Sequence, residues 1–247
     1  MAEDIKYALE YAVGLEQEKV HIIENEYGTF TDKKLERINP REEGEPEVVT
    51  ASTLGSLVDF LHGNHDKLPF DALHIQVLDT KNVVLEGILR NDWPRKNERD
   101  RFFMSKAITP EITFNRFMPV EHFKIMLQSG FRLTNDKDAV MGFLGAMKIG
   151  DGMEIRDNGI AQTAVIKTGV AGLDVGLVPN PVILQPYRTF AEVEQAASEF
   201  VFRVNDKGEA GLWEADGGMW RVEAIANIKQ WLREKLAEVG VEMMIIG

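Results

Sequence analysis

The sequence predicts an α+β fold: a mostly antiparallel sheet with flanking helices, an extended N-terminal arm and a projecting charged hairpin. Three observations predict it. Apolar runs of period two are followed by short turn signals, as in Phe200 to Val204 and then Asn205-Asp206-Lys207-Gly208. These runs are interspersed with stretches of helical spacing but without strict strand–helix–strand alternation, which argues against a doubly wound parallel sheet. At 247 residues the chain is long enough to bury a core without staples, as one large domain or two small ones. If two, the division falls between 118 and 119, with arm, helix and hairpin in 1–118 and an α+β core in 119–247.

Taken in order, Asp4 to Gly14 has helical spacing, with Ile5, Leu9 and Ala12 on one side. Val20 to Ile23 reads as a strand, Glu24 to Ile38 as polar extended chain, and Asn39 to Glu47, with two prolines and a glycine, as a loop. Thr50 or Ser52 caps a helix that buries Leu54, Leu57, Val58 and Leu61 and stops at Gly63-Asn64. Phe70 to Leu78 and Val83 to Leu89 form a hairpin around Thr80-Lys81-Asn82. Asn91 to Arg101 is a charged excursion, and Phe102 to Ala107 brings the chain back. Pro119 opens a helix at the first-turn position that tolerates it, Val120, Phe123 and Leu127 form its buried edge, and Gly130 ends it. Asp136 to Met147 is a second helix on Val140, Phe143, Leu144 and Met147. Met153 to Ile155 and Ala161 to Thr168 flank the turn Asp157-Asn158-Gly159.

The clearest pattern lies between Asn180 and Ala224. Pro181 and Pro186 lack a ladder donor, so the strand between them is short or at an edge. Ala191 to Ser198 is a helical turn or a loop. The strand Phe200 to Val204 returns through Ala210 to Ala215, and Asp216-Gly217-Gly218 signals a hairpin into a third strand, Met219 to Val222. Ile225, Ile228, Leu232, Leu236 and Val239 then make one helical stripe, with Gly240 at its end and a last strand, Val241 to Ile246, beyond.

Composition narrows the class. The formal net charge is −12, from dispersed acidic residues, which disfavours wholesale binding to nucleic acid or anionic membranes. The charge suggests a DNA mimic less than an ordinary acidic surface. Cysteine is absent, excluding disulfides and thiolate metal sites. No leader or membrane-spanning stretch is evident, so a cytoplasmic location is expected.

Candidate sites are few. His62, His65 and Asp66, with His74 further on, have the donor types for Zn²⁺ or Fe²⁺, but their spacing matches no ligand motif and a helix-ending loop explains them. Gly169 to Gly176 is glycine-rich, yet no Gly-Lys-Ser/Thr follows, and Pro179 and Pro181 block a helix there, so a loop from Val170 to Asn180 is expected. Arg90, Arg95, Lys96, Arg99 and Arg101 around Trp93 have the makings of a phosphate-and-base contact, but Asp92, Glu98 and Asp100 cancel much of the charge. Glu192, Glu194, Glu214 and Asp216 are carboxylates suited to acid–base work or to capping turns, and Arg188 to an anion or a buried ion pair. We therefore assign no catalytic, cofactor-binding or metal residue and expect no cofactor.

The stretch from Gln185 to Val204, then Leu212 to Leu232, resembles the YfdQ-like family of phage and prophage proteins. Arg156 to Val170 and Glu121 to Phe131 share the likeness, while Ala196 stands where the family has proline. The family carries no established activity. The resemblance implies a phage or prophage origin and a cytoplasmic setting in a bacterial host. With no catalytic motif, the first expectation is a non-enzymatic protein whose partner is itself, in a ring, tube or capsid-like shell. Alternatives are a module sequestering a nucleotide signal or host protein, and a metal-dependent hydrolase built on His62 and His65.

Overall fold

The structure, a computed structural model, describes residues 5–7, 9, 22–25, 28–31, 46–91, 97–147, 154–157, 161–168 and 172–247. For the strands within 22–31 and 154–177, and for residue 146, it describes the backbone alone. Two compact units divide the chain, Met1–Gly44 and Glu45–Gly247. The 118/119 division considered above falls inside the second. In the first unit, residues 5–7 are helical, and β1 (Ile22–Asn25) pairs antiparallel with β2 (Gly28–Thr31). The rest of the expected arm lies outside the described residues.

The second unit is α+β. Strands β3 (Val49–Ala51), β4 (Leu73–Val77), β5 (Asn82–Leu89), β6 (Arg99–Lys106) and a C-terminal strand, Met244–Ile246, form a five-stranded sheet. Its order is Met244–Ile246, β4, β5, β6, β3; both edge strands run parallel to their neighbours and the inner pairs are antiparallel. Helix α1 (Leu54–Gly63) packs on it through Leu54, Leu57 and Leu61 against Ile75, Leu85 and Phe103. The cap of α1 is Thr53, whose hydroxyl accepts from Ser56 N–H at 3.2 Å, not Thr50 or Ser52. Thr50 belongs to β3, and an N-cap must stand directly before the first helical residue. At the other end Asn64 takes a left-handed conformation, φ 35°, which its short polar side chain tolerates.

A second sheet has the order Val182–Leu184, Ser198–Val204, Glu209–Glu214, Met118–Pro119. In chain order these are β11, β12, β13 and β7. Helices α2 (Val120–Gly130) and α3 (Asn135–Ala146) cover it, burying Phe123, Leu127, Val140, Phe143 and Leu144 against Phe200, Phe202 and Leu212. Pro119 stands just outside α2, with extended backbone (φ −51°, ψ 137°), one position earlier than expected. Lys137, a buried residue in the first turn of α3, donates to the carbonyl of Phe131 at 2.7 Å, just past the end of α2, where a cation meets the negative end of the helix dipole.

The third sheet corrects one expectation. Gly172–Pro179 is not loop but strand β10, paired antiparallel with β9 (Ala161–Thr168), which pairs in turn with β8 (Glu154–Asp157). The spacing of Leu173, Val175 and Leu177 carried that strand signal; Gly172 before them and Gly176 among them masked it. A second correction concerns Met219 to Val222. Helix α4 runs Trp220–Glu238, with Met219 as its N-cap and Trp220 to Val222 in its first turn, so no third strand exists there. Gly217 and Gly218 (φ 63° and 82°) turn the chain, Asp216 accepts from Gly218 N–H at 2.9 Å, and the helix begins at once. Trp220, Ala224, Ile228, Leu232 and Leu236 are buried four apart, so the stripe starts at Trp220, ahead of the expected Ile225, which like Val239 is only partly buried. Gly240 (φ 72°) ends α4 in a Schellman motif: Val241 N–H reaches Leu236 O at 2.9 Å and Gly240 N–H reaches Ala237 O at 3.1 Å. The last strand, β14, is Met244–Ile246, shorter than Val241 to Ile246.

Candidate functional site

The loop from Arg188 to Ala197 carries three of the polar candidates, Arg188, Glu192 and Glu194, and each is engaged within the chain. Arg188 is 7% exposed. Its guanidinium donates to Glu214 Oε1 at 2.8 Å and to Ser198 Oγ, and it lies over the Trp220 ring at 3.9 Å from the centroid. Burial lowers its pKa from the ordinary arginine range to about 10, against the pull of Glu214 and Asp216, so the side chain stays charged at neutral pH. Gln195 knits the loop: its Oε1 accepts from Arg188 N–H at 3.1 Å, and its amide donates to Phe190 O and Val193 O. Thr189 Oγ1 donates to Thr80 O at 2.5 Å. The loop thus holds the β4–β5 turn to the strands of the second sheet.

Glu192 sits at the start of α1, where its Oε1 accepts from Leu54 N–H at 2.8 Å and Gly55 N–H at 3.1 Å. A carboxylate at a helix N-terminus satisfies orphan donors and meets the positive end of the dipole. Glu192→Gln keeps the shape and removes the charge; we expect a loss of about 1 kcal/mol, read from urea midpoints. Glu194 points elsewhere, pairing with Arg132 at 2.8 Å on the surface. Arg188, Glu214 and Asp216 therefore converge and Glu194 does not.

Asp216 has a lowered pKa. Burial opposes this, but Gly218 N–H, Ser198, Arg188 and Trp220 N–H together favour the carboxylate. A carboxyl lowered in the folded state adds stability above its unfolded value, 3.8, and loses it as pH falls through the folded value. Asp216→Asn is therefore expected to flatten the fall of stability below about pH 4, measured as unfolding midpoint against pH. Asp216 Oδ2 and Trp220 Nε1 are buried with no hydrogen-bond partner among the described residues.

The remaining candidates are dispersed. His62 lies in the last turn of α1, His65 just past it, and His74 is buried in β4; among the described residues no three His, Cys, Asp or Glu side chains gather to hold a metal. Arg99 donates to Gly87 O at 2.8 Å, Arg101 pairs with Glu86 at 2.7 Å, and Arg90 with Asp100 at 3.1 Å. Trp93, Arg95, Lys96 and Asp92 lie outside the described residues, as do Gly169 to Ala171.

What sequence reasoning could not show is the concave surface around β14. A groove of about 660 Å³ is lined by Phe70, Leu73, His74, Ile88, Met244 and Ile246, among others. A second, about 800 Å³, runs along α4 past Val222, Ile225, Lys229 and Arg233 to Gly247. A third, about 570 Å³, borders Leu236, Val241, Met243 and Ile245. All three concavities adjoin the edge strand. No family model, curated protein or solved structure matches the chain. Among the described residues no helix is long and apolar enough to cross a membrane.

Proposed function

We propose that the chain is a non-enzymatic phage or prophage protein that self-associates into a homo-oligomeric assembly. The observation that carries this reading is an open apolar sheet edge: among the described residues β14 is paired only with β4, and Met244 and Ile246 are 67% and 38% exposed on it. Unprotected apolar edges invite another strand. The polar groups best suited to chemistry, Arg188, Glu192, Glu214 and Asp216, support the reading by bonding within the chain. The phage setting rests on the YfdQ-like resemblance between Gln185 and Leu232. The reading extends to a closed assembly, a ring or capsid-like shell. Size-exclusion chromatography with light scattering at micromolar concentration tests it: a mass at or above twice 27.9 kDa is expected, and a strict monomer removes the proposal.

A further inference from the structure

We infer that a second copy of this chain adds its own β14 to the edge at Met244–Ile246, antiparallel about a two-fold axis at Ile245. The two five-stranded sheets then become one. This rests on the self-association reading and names the surface and register that carry it.

The backbone singles out this edge. Two larger sheets present four edge strands, and three are blunted. Strand β11 lies between Pro181 and Pro186, and Ile183 N–H already donates to Asp136 Oδ2 at 2.7 Å. Strand β7 ends in Pro119, which has no N–H, and β3 follows Glu45-Pro46-Glu47. Prolines and charges are the usual guards of an edge. Met244-Ile245-Ile246 has neither.

The side chains fit an added strand. Ile245 is 9% exposed and anchors β14 to the core with Ile75 and Leu236, leaving Met244 and Ile246 on the open face. Ile88, 63% exposed, shares their groove, and Val222, also 63% exposed, lines the groove along α4 that ends at Gly247. Side chains of a strand point alternately to opposite faces. A strand laid beside β14 thus finds a concavity on either face, the arrangement by which sheet edges recognise extended segments.

The occupant follows from self-complementarity. Antiparallel pairing centred on Ile245 sets Met244 opposite Ile246 of the second copy, and Ile246 opposite its Met244. Exposed Glu242 then falls just past Gly247 of the other copy, where Lys229 Nζ donates to Gly247 O at 2.9 Å. The two-fold axis repeats this acid-to-base approach, so one patch satisfies itself. The head-to-tail alternative, Met244–Ile246 alongside Val49–Ala51, brings Glu242 beside Glu47, and like charges across strands are destabilising. A two-fold contact makes a dimer alone and one contact of a larger dihedral assembly.

Charge-reversal variants read the register. M244K/I246K places lysine opposite lysine in both pairs and is expected to weaken association about 100-fold by light scattering or sedimentation. M244K/I246E places lysine opposite glutamate in both pairs and is expected to bring association back to within about tenfold of the parent. Circular dichroism confirms that both fold. If the parent self-associates and M244K/I246K does so equally well, the surface is wrong and the self-association reading stands. If both variants disrupt equally, the register is overturned. If the parent is monomeric, both ideas fall. Should either variant fail to fold, cysteine decides the matter, because the chain has none of its own. Chains with M244C mixed with chains with I246C should form a disulfide-linked pair under mild oxidation, since directly opposed strand residues lie within disulfide reach; no linkage overturns the proposal.

Discussion

Arg188→Ala is expected to lower the free energy of unfolding by about 3–5 kcal/mol, measured by urea denaturation. The reason is not the worth of the ion pair, which includes the cost of desolvating both partners. The reason is what the substitution leaves behind. Glu214, whose side chain is 24% exposed, loses the guanidinium at 2.8 Å, and Asp216 loses a nearby positive charge. Ser198 Oγ loses its donor, and Trp220 loses the cation stacked at 3.9 Å. Lysine should recover little of this, because a single ammonium cannot fork between Glu214 and Ser198 while lying flat on the indole. Removing both charges as Arg188→Met with Glu214→Gln should cost less than Arg188→Ala alone, since no uncompensated carboxylate remains at 214. If Arg188→Ala changed stability by less than about 1 kcal/mol, the cluster would be ornamental and the account of the loop wrong.

The same cluster shows what the sequence could and could not reveal. Elements with a strong period were legible: Leu54, Leu57, Val58 and Leu61 on α1, Phe200, Phe202 and Val204 on β12, and Ile228, Leu232 and Leu236 on α4 all lie where their spacing places them. Two misreadings share one cause, the weight given to glycine. Asp216-Gly217-Gly218 fits a hairpin turn by composition, but the same residues can turn a strand into a helix, and Trp220, Ala224 and Ile228 decided between them. In Gly172–Pro179 glycine masked a strand whose pairing comes from β9, which no local pattern reports. The candidate residues were legible as chemical types but not as partners. Glu192 and Leu54 are separated by 138 residues, and Thr189 and Thr80 by 109, so no spacing rule could join them. Val241 to Ile246 was legible as an apolar edge strand, whereas its parallel place beside β4 is a property of topology.

Phe200→Ala is expected to cost about 3–5 kcal/mol, comparable with Arg188→Ala, but through a cavity. Phe200 is fully buried, stacks on Phe114 with centroids 5.3 Å apart and planes 16° from parallel, and meets Phe131 edge-on at 6.4 Å. Truncation removes the ring that packs on both of these, which also meet each other at 6.3 Å, and that lies beneath Arg188, whose guanidinium carbon is 5.6 Å from its centroid. Phe114 and Phe131 come from separate segments, so the gap closes only if the backbone of β12 moves, and β12 is held on both sides by β11 and β13. Phe200→Leu, which keeps most of the volume, should lose roughly 1–2 kcal/mol. Combining Phe200→Ala with Arg188→Ala should fall short of the sum, because the guanidinium and the ring are in contact and each substitution already loosens the other's site. A distant control, Phe103→Ala in the core under α1, should instead add to Phe200→Ala within about 0.5 kcal/mol. Both should shift a single unfolding transition, because the Arg188-to-Ala197 loop is bonded to α1 and the β4–β5 turn at one end of its reach and to the second sheet at the other. Two separate transitions in calorimetry would mean that this loop does not couple the two cores, and the cost of losing Arg188 would then be confined to the second sheet.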